Sequence, residues 1–279
     1  MRLPEMKNRV VVLTAALLLI ATALSAHDLF LRLDSFFIRP ESVAVIKVLN
    51  GTFSKSENAI TRDRLRDISV VGPAGRSRID TTSWEAKGDT SRLSVHIGAS
   101  GTYVVGASTA PREITLAAKD FNAYLADDGI PDVLGARKRD GELEKKATER
   151  YSKHVKALLQ AGDTWSKNVF DTVLGYPAEL VPLNNPYLPR SSGWLRVRAL
   201  VDGKPVANQL VVSGGRSQRG GRLAERKVRT DADGVARIRI SDRGQWYVKF
   251  IHMEKYKGPS STNSPDYESK WATLTFEIR

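Results

Sequence analysis

The sequence predicts a mainly β fold: two Ig-like or transthyretin-like β-sandwich domains with a helical insertion between them. Three observations carry this. Short runs with apolar residues at period two, broken by Gly and Pro, fill residues 27–116. The apolar spacing shifts to three and four across 117–162, and period two returns after a Pro- and Asn-rich connector, Pro177 to Pro189. Strand-length runs closed by turn residues are the signature of sandwiches.

The N-terminus reads first. Arg2, Lys7 and Arg9 precede an uncharged apolar run, Val10 to Leu24, and the small residues Ser25 and Ala26 precede the polar His27-Asp28. That order is a secretory signal peptide, residues 1–26. The run is about 15 residues, short of the ~20 that span a bilayer. A cut after Ala26 leaves His27 first, while a cut after Ala23 fits the small-x-small rule better. Export implies a periplasmic protein, and no later stretch is apolar enough to span. Losing Arg2, Lys7, Arg9 and Glu5 takes the formal charge from +12 to +10. A basic chain suggests nucleic acid, but export removes that partner and leaves anionic envelope surfaces. The chain has no cysteine, which excludes disulfides and thiolate sites.

In the first section, His27 to Leu33 places Leu29, Leu31 and Leu33 on one strand face. Val43 to Leu49, Ile68 to Val71, Leu93 to Ile97 and Thr102 to Ala107 follow as strands. In the middle, Phe121, Tyr124 and Leu125 define a helical face, interrupted at Gly129-Ile130-Pro131. Leu143, Ala147, Tyr151, Val155, Leu158 and Leu159 then read as the stripe of a longer helix ending at Gly162, with the charges from Arg137 to Arg150 on its solvated face. Beyond the connector, strands are expected at 195–201, 206–213, 227–230, 235–240, 245–252 and 271–278. The expected domains are therefore 27–116, a helical insertion and connector at 117–190, and 191–279. Asp231-Ala232-Asp233-Gly234 lacks the spaced ligands of a calcium loop and reads as a turn. Gly214 to Arg222, rich in Gly and Arg, reads as a long flexible hairpin tip.

Four histidines hold most of the chemistry. His96, beside Val95 and Ile97, and His154, among charges, read as surface or satisfied polar side chains. If the chain is cut before it, His27 offers its α-amine and its imidazole to one metal, two donors with little ordering cost. Such nitrogen donors suit copper, nickel or zinc. His252 ends the apolar face of Trp246, Val248 and Phe250 and is the natural partner. Asp266 and Glu268 add an oxygen ligand or orient an imidazole. No Gly-x-Ser-x-Gly elbow and no His-Glu-x-x-His zinc helix is present.

The chain resembles a bacterial periplasmic family of unknown function commonly assigned to nickel or cobalt uptake. The segments that carry this include Ala26 to Leu31, Asn50 to Phe53, Phe121 to Leu125, Glu149 to Lys153, Leu180 to Tyr187, Trp246 to Met253 and Tyr267 to Phe276. Asp202-Gly203-Lys204-Pro205 with Thr230 to Gly234 is similar to the carboxypeptidase-regulatory, transthyretin-like sandwich. The resemblance implies that His27 and His252 match family histidines, that the role is metal-related and non-catalytic, and that the partner is a metal-uptake transporter component of the inner membrane. Thr52 departs from the histidine some relatives carry there. The expected function is a periplasmic binding protein for nickel, cobalt or copper. The alternatives are a copper-dependent oxidative enzyme with an N-terminal histidine brace and a metal-free structural envelope module.

Overall fold

Period-two alternation at the N-terminal end of the described chain does form a strand, and the strands that follow lie close to where the pattern puts them. The structure, a computed structural model, describes residues 27–164, 168–188, 193–259, 261 and 263–279. The expected signal peptide lies outside these. In chain order the first strands are β1 (Asp28–Arg32), β2 (Phe37–Ile38), β3 (Ser42–Gly51), β4 (Leu65–Gly72), β5 (Gly75–Arg78), β6 (Trp84–Lys87), β7 (Thr90–Ile97), β8 (Gly101–Thr109) and β9 (Arg112–Leu116). Two helices follow, α1 (Ala118–Asp127) and α2 (Pro131–Arg139). Then come β10 (Ala147–Ala161), β11 (Ala178–Pro182), β12 (Trp194–Val201), β13 (Lys204–Pro205), β14 (Leu210–Ser217), β15 (Arg222–Arg229), β16 (Val235–Arg239), β17 (Gly244–Lys255) and β18 (Tyr267–Ile278).

The largest sheet runs β15-β14-β17-β18-β10-β8-β4-β5, with β2 and β9 also paired to β10. Strands from both halves of the sequence thus share one sheet, joined where β10 runs parallel to β18. Its two faces are covered by different layers. On one face lies the sheet β1-β3-β7-β6, whose Leu29, Leu31, Ile46, Val48, Leu93 and Val95 pack with Val155, Ala157 and Leu159 of β10. On the other lies the β11-β12-β13 sheet with β16. There Leu180, Leu195, Val197 and Ile238 pack with Leu158, Trp246, Val248, Phe250, Leu274 and Phe276. Alternation within β10 decides the layering, odd residues facing one core and even residues the other.

The longer helix expected from Glu142 to Gly162 is not formed; that stretch is mostly β10. The physical reason is a coincidence of periods. Residues 143, 147, 151, 155 and 159 are four apart, and four is even, so they share a face of a strand as well as of a helix. A strand buried on both faces shows no polar alternation to tell the two apart. The helical insertion is real but confined to α1 and α2. Phe121, Tyr124 and Leu125 are buried as expected, while Arg137, expected on a solvated face, is 2% exposed and stacks 4.9 Å over Phe121.

The Gly214 to Arg222 segment is also not a long loop. Gly214, Gly215 and Arg216 belong to β14, and Arg222 opens β15. A Cβ on Gly215 would sit 2.1 Å from the Gln245 carbonyl oxygen, so the glycine serves close strand approach. Asp231 to Gly234 is the expected turn: Asp231 Oδ1 accepts from the backbone N–H of Asp233 at 3.0 Å and Val235 at 2.8 Å.

Candidate functional site

β1 carries His27 at its start and is tied by its backbone to the large sheet. Thr273 Oγ1 donates to the Leu29 carbonyl at 2.8 Å and Thr275 Oγ1 to that of Leu31 at 2.6 Å. With Leu29 and Leu31 turned into the core, Asp28 and Phe30 face the other way. Phe30 packs with Phe53 and Tyr247 at 5.3 and 5.2 Å. Asp28 receives a hydrogen bond from Lys249 of β17.

His27 lies on the border of two cavities. The first is a cleft of about 500 Å³ that it shares with Asp28, Glu57, Asp127, Asp128 and Glu225, as well as Lys249 and Arg222. On this chain of formal charge +12, it gathers carboxylates. His27 Nε2 meets Glu57 Oε2 at 2.5 Å. Lys249 bridges Asp28 and Asp128, the latter at 3.8 Å. Burial, then the neighbouring Asp28, pushes the Asp128 carboxyl up to about 7, against the pull of Lys249. Burial draws Lys249 down, but Asp28 and Asp128 outweigh it and its ammonium is held above its ordinary range. Asp28 Oδ1 is buried with no hydrogen-bond partner among the described residues.

The second cavity, about 250 Å³, is lined by His27, Arg64, Glu149, Tyr151, Lys153 and Trp271, among others. Lys153 is 6% exposed. It donates to the His27 carbonyl and, at 3.0 Å, to Asn50 Oδ1. Burial takes its ammonium down to about 8 despite the attraction of Asp28. Glu149 accepts from Ser269 Oγ and, at 3.0 Å, from Tyr124 OH. Burial still raises its carboxyl.

His252 is elsewhere. On β17 the side chains alternate, so Lys249 faces β1 while Val248, Phe250 and His252 face the opposite layer. His252 Nδ1 meets Gln209 Oε1 at 3.0 Å, and burial lowers its ring pKa. His27 and His252 therefore do not form one site; His252 lies three positions on from Lys249, and an odd step reverses the face. Asp266 accepts from the backbone N–H of Thr148 at 2.7 Å. Glu268 sits 3.9 Å from Arg150. Neither reaches His27. His96 is exposed, as expected. His154 is buried, with both ring nitrogens bonded to serines, the satisfied polar residue that was expected, although on a strand. Among the described residues no three or more His, Asp or Glu side chains are grouped to hold a metal ion.

Sequence reasoning missed Glu57, Asp128, Glu149, Lys153 and Lys249. Lys249 carried a signal, being the one charge in the apolar run Trp246 to Ile251. Lys153 was hidden by the helical reading of the stretch that forms β10.

These layers and cavities define a β-sandwich protein whose charged site is built around its N-terminal strand. The chain belongs to the family described as a domain of unknown function (DUF4198), matched over residues 24–254. No curated protein matches it. Among solved structures it is similar to a tetra-tandem repeat in the extending region of a large adhesion protein, at 14% identity over 90% of this chain and 50% of that one, TM-score 0.21. It is also similar to the native conformation of E. coli alpha-2-macroglobulin, at 11% over 90% and 14%, TM-score 0.22. A third is the BSP domain of a biofilm associated protein, at 8% over 89% and 29%, TM-score 0.18. The chain spans half or less of each of these, and at such TM-scores none carries an argument.

Proposed function

We propose that the chain is an exported, non-catalytic binding protein for a divalent transition metal (nickel, cobalt or copper), held at the His27 end of β1. The observation that carries the reading is the His27–Glu57 contact on the rim of a carboxylate-lined cleft. Grouped side chains alone do not supply a ligand set. A chain cut before His27 does, because the α-amine and imidazole of one residue join the Glu57 carboxylate as three donors. Nitrogen with one carboxylate is a donor set for nickel, copper or zinc rather than magnesium or calcium. The orphaned Asp28 Oδ1 beside it adds negative charge facing the same cleft. His252 is no part of this site, so the copper brace with two histidines is not proposed. Delivery to a metal-uptake transporter of the inner membrane is the role that the family resemblance suggests.

Intact mass of protein purified from the periplasm, followed by nickel and copper titration of the same sample, tests the reading. A form with one extra residue before His27 keeps every side chain but turns the amine into an amide. It should bind at least tenfold more weakly, about 1.4 kcal/mol, and Glu57→Gln should lose a comparable amount. Full affinity in the extended form would refute the site.

A further inference from the structure

The second cavity has an unbalanced charge that the metal reading does not use. Arg64 is 6% exposed, its Nε has no hydrogen-bond partner, and its Nη2 makes only a long 3.4 Å bond to the Ala110 carbonyl. Its guanidinium lies 5.6 Å over the Tyr151 ring. Lys153, buried on the same cavity, is bonded to neutral oxygens only and packs over Tyr151 and Trp271 at 5.6 and 5.2 Å. Neither cation has a carboxylate within ion-pair distance among the described residues. Arg112, on the cavity wall, is already paired with Asp63 at 3.1 Å. Glu149, the acid on the cavity wall, spends its carboxylate on Tyr124 and Ser269, and Asp28, which attracts Lys153, is paired with Lys249.

Burying a cation without a counter-charge is costly, and an arginine with a free buried N–H is a donor waiting for an acceptor. The remaining wall is mixed: Ile60, Ile114, Leu116 and the Trp271 ring give it an apolar side, and Asn58 and Thr61 add polar groups. We infer that this cavity binds a small organic carboxylate, its anionic end on Arg64 and Lys153 and its apolar body against Tyr151, Trp271 and Leu116. The planar guanidinium fork matches a carboxylate. The apolar part of the wall favours a ligand with a hydrocarbon body over a bare oxyanion, which is hydrated on every side. A cavity of about 250 Å³ admits a ligand the size of benzoate. The inference does not rest on the metal reading, although His27 borders both cavities.

The test uses the exported protein after chelation and dialysis, so that it is read without metal. Benzoate and hexanoate, neutral benzyl alcohol, and inorganic phosphate are titrated, with tryptophan fluorescence and the thermal midpoint as readouts. At least one of the two carboxylates should give a saturable response, at least tenfold tighter than benzyl alcohol and than phosphate. Arg64→Gln should abolish this preference. If that variant fails to fold, Arg64→Lys takes its place and should weaken carboxylate binding at least threefold, since the fork is lost while the charge stays. Equal binding of benzoate and benzyl alcohol would reduce the cavity to a hydrophobic one and overturn the inference. So would tighter binding of phosphate, no saturable response to either carboxylate, or undiminished carboxylate binding in the folded Arg64 variant.

Discussion

His154 should make the protein's stability fall with acidification, and the structure sets the size. Its ring is 2% exposed, between Ser108 Oγ at 2.9 Å and Ser152 Oγ at 3.0 Å. Burial above all, then the charges of Lys270 and Arg66, takes its pKa down to about 3. An unfolded chain would protonate it near 6.5. A base whose folded pKa is depressed stabilises the fold above the unfolded pKa, and that stability is lost as pH falls. One pKa unit is about 1.4 kcal/mol, so lowering pH from 7 to 5 removes about 2 kcal/mol through this one ring.

Asp128 works against it over the same window. Its folded pKa of about 7 lies above the ordinary 3.8, so its contribution is present at low pH and lost as pH rises through 7. Acidifying from 7 to 5 therefore returns roughly 2 kcal/mol, and Glu149, raised by burial, acts in the same direction. The two effects nearly cancel in the unaltered protein, and a pH profile of that protein alone decides nothing. The difference between it and His154→Gln cancels every other group. Urea unfolding at pH 7, 6 and 5 should show the stability advantage of His154 shrinking by about 2 kcal/mol. Asp128→Asn should show the opposite trend. A His154→Gln gap that stays constant from pH 7 to 5 would refute the claim that burial holds this ring neutral.

Other outcomes follow from the same geometry. Lys156 and Glu179 form an ion pair buried at 3% and 2% side-chain exposure, and Glu179 also accepts from the N–H groups of Leu174, Gly175 and Tyr176. Lys156→Ala leaves that carboxylate uncompensated and should cost about 3–5 kcal/mol by urea unfolding. Leu158 is fully buried, so Leu158→Ala should cost about 2–5 kcal/mol; a loss below 0.5 would mean that β10 does not sit between two cores. His252→Ala should leave nickel and copper affinity within about twofold of the unaltered protein by calorimetry, since the ring lies on the far face from His27.

The strands with one polar neighbour at each step were legible, because alternation of apolar and polar residues is the direct imprint of a half-buried strand. Leu93, Val95 and Ile97 are buried while Arg92, Ser94 and His96 are exposed, and the reading follows them residue by residue. β10 was illegible for the opposite reason. Ser152, Lys153, His154, Lys156 and Gln160 are all buried, so its polar residues carry no information about solvent. Ser108, Asn50 and Glu179, which hold His154, Lys153 and Lys156, lie between 23 and 103 residues away. No local window contains them. β11 was lost in a connector because Pro182 and the asparagines beyond it mask five buried residues, Ala178–Pro182.

The candidate site divides in the same way. His27 was legible as chemistry because a histidine after a cleavage motif is conspicuous whatever the fold. Its partners depend on which face each strand presents, and that was already implicit in β17. Trp246, Val248 and Phe250 were read as a core face with His252 at its end, and the structure keeps all four on that face. Consistency then required Lys249 to lie on the other face, towards whatever layer covered it. That layer is β1, and Asp28 on β1 meets Lys249 there. A histidine sharing the face of Trp246 cannot reach a histidine that precedes Asp28, because the sheet itself stands between them. The parity that identified the apolar face was thus also the argument against pairing His252 with His27. It was unusable only while β1 had no assigned layer.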